Sequence, residues 1–149
     1  MIQPNLTPVP GKNEYMLVDD YPCDGHLIPA YFCLDGASVP WYAWVAIYTP
    51  FHPDVMAAAV DHDWIYLTHQ IPRKEADQRF YSILIKNGVS KTKAKLMYQA
   101  VRVGGGPHWE LNKKDTDKLE LLYPMIYKSA NFDKYCFPNI PPLNASTGH

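Results

Sequence analysis

Residues 53–66 read Pro53-Asp54-Val55-Met56-Ala57-Ala58-Ala59-Val60-Asp61-His62-Asp63-Trp64-Ile65-Tyr66. Pro53 suits a first helical position, Asp54 complements the positive end of the helix dipole, and the alanine run after them has high helix propensity. At helical spacing Val55, Ala59, His62 and Tyr66 share one face, while Met56, Val60, Asp63 and Leu67 fall on the neighbouring one. His62 and Asp63 therefore lie on, or at the border of, an apolar stripe. An unpaired carboxylate there costs several kcal/mol or loses its charge, so the fold must supply a cation, a metal ion or several donors.

Two readings of this pair stand side by side. In the structural one, His62 is a core histidine bonded to a backbone carbonyl and Asp63 is an interhelical tie. In the functional one, context matters: Tyr66 lies one turn beyond His62 and reaches the same partner. The pattern predicts a second helix over Arg73 to Asn87 with Gly88 as its stop. On it Asp77 lies in the stripe of Phe80, Tyr81 and Leu84. The short Gln70-Ile71-Pro72 link makes the two helices antiparallel and brings Asp77 toward His62. A histidine oriented by one carboxylate, beside a second carboxylate able to bind a metal, is a general-base arrangement for activating water.

The stretch Ala58 to Tyr66, followed by Glu75-Ala76-Asp77-Gln78-Arg79-Phe80, resembles the His-Asp-x-x-Tyr and Ala-Asp-x-x-Phe helices of phospholipases that cleave the sn-2 ester, particularly the small cysteine-free form in parvoviral capsids. The resemblance implies that His62 takes a proton from the attacking water and that Asp77 and Tyr66 hydrogen-bond to orient it. It implies calcium as the cofactor, with Asp63 as a ligand and Asp35 and Gly36 of the preceding loop completing the site. That loop holds a single glycine, Gly36, where the phospholipase loop is richer. A second resemblance rests on Leu34-Asp35-Gly36-Ala37-Ser38-Val39-Pro40, the two acidic helices, and Tyr98-Gln99-Ala100-Val101-Arg102 leading to glycine. This pattern, over about residues 30–106, is similar to an uncharacterised family of small proteins found largely in tailed phages and prophages. It implies a phage source, from which we expect a virion setting with partners among other virion proteins or copies of the same chain and, through the phospholipase likeness, membrane lipid.

The 149 residues suit one domain with tails. We expect an extended N-terminal arm over 1–13, a globular domain over 14–128 and a proline-rich tail over 129–149. The expected class is α+β: a small N-terminal antiparallel hairpin or sheet, from strands at 14–18 and 26–33 flanking turn-rich 19–25, then a mostly helical, phospholipase-like core. Ser38 and Pro40 suit a turn and cap before a short helix at 41–45, and Trp41, Tyr42, Trp44, Tyr48 and Phe51 form an aromatic cluster that closes the core or makes a rim facing lipid or a partner. Ser90 suits the cap of a third helix with Ala94, Met97, Tyr98 and Val101 inward, broken at Gly104-Gly105-Gly106-Pro107, where backbone can pack closely. A last helix is expected over 115–123.

A net charge of −1 with scattered basic residues leaves no footprint for nucleic acid. Met1 to Pro10 is polar and proline-rich, unlike a signal peptide, and no apolar stretch approaches eighteen residues, so synthesis in the cytoplasm is expected. The phage resemblance makes that cytoplasm a host's and implies departure by lysis or inside a virion. Three widely spaced cysteines, Cys23, Cys33 and Cys136, argue against a disulfide framework. His62 and His69 are separated by about 10 Å of helical rise, too far for one zinc ion. Two functions follow: a calcium-assisted ester hydrolase, or a virion component that keeps the scaffold without catalysis. A hydrolase acting on cell-wall material is a third, weaker option.

Overall fold

The computed structural model describes residues 1–12, 14–34 and 52–114, with side chains as far as Glu110. Five short strands precede four helices, so the class is α+β as expected. The strands are β1 (Leu6–Pro8), β2 (Tyr15–Leu17), β3 (Tyr21–Cys23), β4 (His26–Ile28) and β5 (Cys33–Leu34). The helices are α1 (Pro53–Thr68), α2 (Arg73–Lys86), α3 (Lys91–Gly104) and α4 (Gly106–Lys114).

The strands form two antiparallel sheets, one ordered β1-β2-β5 and one made of β3 and β4. This differs from the expected single pairing of 14–18 with 26–33. Asp24 and Gly25 both take positive φ, 40° and 99°, which makes a tight hairpin inside the turn-rich segment and pairs Tyr21 with Ile28 and Cys23 with His26. The second expected strand stops at Ile28, before Pro29 and the left-handed Tyr31 at φ 69°. Cys33 and Leu34 then pair with Met16 and Tyr15 in the other sheet. Leu6–Pro8, expected within the N-terminal arm, pairs with β2 instead, setting Leu6 opposite Leu17 against the core. Alternation along the β3–β4 hairpin buries Tyr21, Cys23, His26 and Ile28 and leaves Pro22 exposed.

α1 starts as its sequence predicts, with Pro53 in the first turn and the His52 ring accepting from the Asp54 N–H at 3.2 Å. It is buried almost all round, because sheets, α2 and α4 each cover a side. Trp64, fully buried, meets Phe32 edge-on at 5.3 Å and joins helix to sheet. α2 ends at Lys86, and Gly88 takes φ 91° just beyond, as a helix stop requires. Ser90 caps α3, whose buried residues are Ala94, Met97 and Val101. The glycine run does interrupt α3, but a fresh helix begins at once with Gly106 and Pro107, since proline is tolerated in a first turn.

The short helix and aromatic cluster expected before α1, the helix expected over 115–123 and the C-terminal tail lie outside the described residues. Cys23 and Cys33 are free thiols. Among the described residues no helix is long and apolar enough to cross a membrane. Trp64→Ala is expected to lower unfolding free energy by about 3–5 kcal/mol in urea titrations, because the void falls where sheet and helix meet.

Candidate functional site

α1 and α2 form an antiparallel pair whose facing residues include an acid and a histidine. His62 Nε2 lies 2.7 Å from Asp77 Oδ1, and the Tyr66 hydroxyl donates to the same oxygen at 2.7 Å. His62, Tyr66 and Asp77 are thus brought together as helical spacing predicts, all of them buried. The His62 ring sits between Tyr66, 4.1 Å away centroid to centroid, and Phe80 at 4.9 Å. Trp109 of α4 closes over Tyr66 edge-on at 5.0 Å and stacks on His69 at 3.9 Å.

The other Asp77 oxygen meets a residue that helical pattern does not pair with it. Arg102, at the end of α3, donates from Nη1 to Oδ2 at 2.6 Å. Arg73 stands 3.9 Å from the same oxygen, and its guanidinium caps α3 by donating to the Val101 and Arg102 carbonyls at 3.3 and 3.1 Å. Burial pushes the Asp77 carboxyl toward neutrality. The hydrogen bonds from His62, Tyr66 and Arg102 outweigh it and hold Asp77 below the ordinary carboxylate value. Burial and the Asp77 charge push Tyr66 the other way, so its hydroxyl stays protonated and donates.

The close approach expected at the glycine run is real and specific. A Cβ on Gly105 would stand 2.6 Å from both the Tyr66 hydroxyl oxygen and the Val101 carbonyl oxygen, so only glycine lets α3 pass Tyr66 this closely.

A second buried cluster lies on the other side of the helix pair. Asp61, fully buried, meets His26 Nε2 at 2.6 Å through Oδ1 and accepts from Arg79 Nε at 2.8 Å through Oδ2. Arg79 Nη2 donates to Asp61 Oδ1 at 3.0 Å and to the Cys23 carbonyl at 2.9 Å. Burial raises the Asp61 carboxyl, but the bonds from His26 and Arg79 outweigh it and depress it below the usual range. The Cys23 thiol is pushed up by burial and by Asp61, which keeps it protonated and inert. Sequence analysis places the buried acid at Asp63, whereas Asp63 is half-buried and Asp61 is the enclosed one. The signal was present in the face Ala57, Asp61, Trp64 and Thr68, which is apolar apart from Asp61 and the short Thr68.

Asp63 is the member of the expected calcium set that can be placed; Asp35 and Gly36 lie outside the described residues. No group of three histidine, cysteine or acidic side chains able to hold a metal occurs among the described residues. Calcium takes six to eight oxygens. Both Asp77 oxygens are taken by His62, Tyr66 and Arg102, so the described residues do not by themselves fit a calcium ion.

Strands packed on a helical pair with an internal His-Asp-Tyr network define an α+β protein with a buried polar core. The chain belongs to the family described as "Protein of unknown function (DUF1353)", whose model matches residues 13–101. It is similar to the "Uncharacterized protein y4jT" of Sinorhizobium fredii (strain NBRC 101917 / NGR234), 36% identical over 93 residues that make up 62% of this chain and 27% of that protein. It is also similar to the "Uncharacterized protein y4iH" of the same organism, 37% identical over 75 residues, or 50% of this chain and 31% of that protein. The matched segments thus span about a third or less of these relatives. No solved structure matches the chain. The matched region holds both buried clusters except Arg102, Gly105 and Trp109.

Asp61 and Asp77 have folded-state values below the unfolded value near 3.9, so the stability they contribute is present above about pH 4 and is lost as pH falls through the folded values. Urea titrations are expected to show this fall below pH 4, and Asp77→Asn to remove part of its slope. Gly105→Ala is expected to lower stability by about 1–3 kcal/mol. In a Tyr66→Phe background the penalty shrinks without vanishing, because the Val101 carbonyl remains in the way; a double-mutant cycle reads this coupling.

Proposed function

We propose that the chain is a phospholipase-like ester hydrolase in which His62 is the general base and Asp77 and Tyr66 orient it. The observation that supports this reading is the shared Asp77 Oδ1, which meets His62 Nε2 and the Tyr66 hydroxyl at 2.7 Å each. An ionised carboxylate only accepts hydrogen bonds, so Nε2 carries the ring proton and Nδ1 is the basic nitrogen. Nδ1 would take a proton from water as its oxygen attacks the ester carbonyl, with Asp77 stabilising the imidazolium. Nδ1 would then return the proton to the departing alkoxide as the carbon–oxygen bond breaks, leaving a free acid and an alcohol. A phosphoglyceride is the substrate class proposed with it.

The reading predicts that Asp77→Asn lowers hydrolysis of a phosphoglyceride sn-2 ester roughly 10²–10⁴-fold while the chain stays folded, because a misoriented imidazole loses general-base assistance. Vesicle hydrolysis and a thermal melt on the same sample check it; equal hydrolysis by wild type and variant refutes it. Calcium is proposed as the cofactor, with Asp63, half-buried next to His62, as its ligand among the described residues and the further oxygens supplied from outside them. Calorimetric titration of calcium into the wild type should show binding that Asp63→Asn loses, and heat unchanged in the variant removes Asp63 as a ligand.

A second reading is favoured by burial. The His62 and Asp77 side chains have 0% exposure, and the His26–Asp61 pair, also at 0%, has the same make on the opposite side of the helix pair. Paired networks of this kind serve a scaffold equally well, in a virion of a phage or prophage for instance. Under that reading Asp77→Asn collapses the melt, and no ester is cleaved by either form.

A further inference from the structure

Asp77 and Arg79 are two residues apart on α2 and therefore about 200° apart around it. They stand at opposite margins of the buried stripe of Ala76, Phe80 and Ile83. Each reaches across to α1, Asp77 to His62 at 2.7 Å and Arg79 to Asp61 at 2.8 and 3.0 Å. Asp61 and His62 are neighbours in sequence, about 100° apart around α1. One tie at one margin leaves a pair of packed helices free to roll about their line of contact. Two ties at opposite margins remove that freedom.

The second tie is built to be stiff. Arg79 grips both oxygens of a fully buried carboxylate with its planar fork, is itself 15% exposed, and donates a further bond to the Cys23 carbonyl. His26 holds Asp61 from the hairpin side at 2.6 Å. Asp24 of the same hairpin lies 3.8 Å from Arg79 and is bonded to Lys86 at 2.7 Å. The β3–β4 hairpin therefore bears on the Asp61–Arg79 pair from both partners.

We propose that Arg79, acting through Asp61, is a positioning residue for His62: it sets the roll of α1 against α2 and so keeps the imidazole on Asp77, with the β3–β4 hairpin as its brace. The proposal rests on the hydrolase reading only for its consequence in turnover. The hydrogen bond itself is read without any substrate.

The test is an imidazole ¹H–¹⁵N correlation spectrum of the full chain, following the His62 Nε2 proton. In the wild type this proton is expected to be downfield and slow to exchange, as a buried N–H on a carboxylate should be. Arg79→Met strands the buried Asp61 charge and is expected not to fold. Arg79→Lys keeps the charge without the fork, and there the His62 resonance is expected to be lost to exchange while the amide spectrum stays dispersed. His26→Gln leaves Arg79 on Asp61 and is expected to speed exchange of the same proton without abolishing the signal. Met97→Ala, a core truncation on α3, serves as the destabilised control and keeps the resonance. Retention of the signal in folded Arg79→Lys overturns the proposal, and so does its equal loss in Met97→Ala. If Arg79→Lys does not fold, His26→Gln decides: exchange no faster than in the wild type overturns the proposal. A wild type that shows this pattern yet cleaves no ester removes the hydrolase reading and leaves the positioning role standing.

Discussion

Two carboxylates buried between helices constrain nearly everything else in this chain. Asp61 and Asp77 have no exposed side-chain surface, and an uncompensated charge in such a place costs several kcal/mol. Each is compensated by a histidine and an arginine from different elements. Asp77 draws on α1 for His62 and on α3 for Arg102, while Asp61 draws on β4 for His26 and on α2 for Arg79. The placement of the hairpin, the helix pair and the third helix is thereby tied to satisfying two charges. Apolar packing supplies the bulk of the driving force, but it is non-directional; the charged networks give the packing its angles.

The clusters differ in what surrounds them. Around His62 the neighbours are aromatic, with Tyr66, Phe80 and, beyond Tyr66, Trp109, so the imidazole is enclosed by rings beside a carboxylate kept ionised. Around Asp61 the neighbours are strand backbone, a protonated thiol and a guanidinium that grips both oxygens. The first has the composition of a general-base site and the second that of a clamp. Asp61 and His62 are neighbours on one helix and each is bonded to α2, so the same geometry supports the hydrolase reading and the scaffold reading.

Much of the helix pair is legible in the sequence. Pro53, the alanine run and Gly88 mark where helices begin and stop, and the 3.6-residue period puts His62, Tyr66 and Asp77 on facing stripes. These residues are 15 and 11 positions apart across one short link, so local geometry nearly dictates their meeting. Strand boundaries were less legible, because Asp24-Gly25 turned a segment read as a loop into a hairpin. α1 is apolar on more than one face, so periodicity by itself does not say whether the face of Asp61 or that of Asp63 is the enclosed one; the hairpin and Arg79 cover Asp61.

By itself the sequence determined the α+β class, the bounds of the first two helices to within a few residues, the His-Asp-Tyr triplet and the break at the glycine run after α3. Those depend on backbone propensity and on contacts between residues close in the chain. Tertiary structure decided which charges meet: Arg102 with Asp77 across 25 positions, Arg79 with Asp61 across 18, His26 with Asp61 across 35 and Arg79 with the Cys23 carbonyl across 56. An arginine carries the same charge wherever it is written. Only the relative placement of packed elements selects which buried carboxylate it reaches, and that placement is set by the whole core at once.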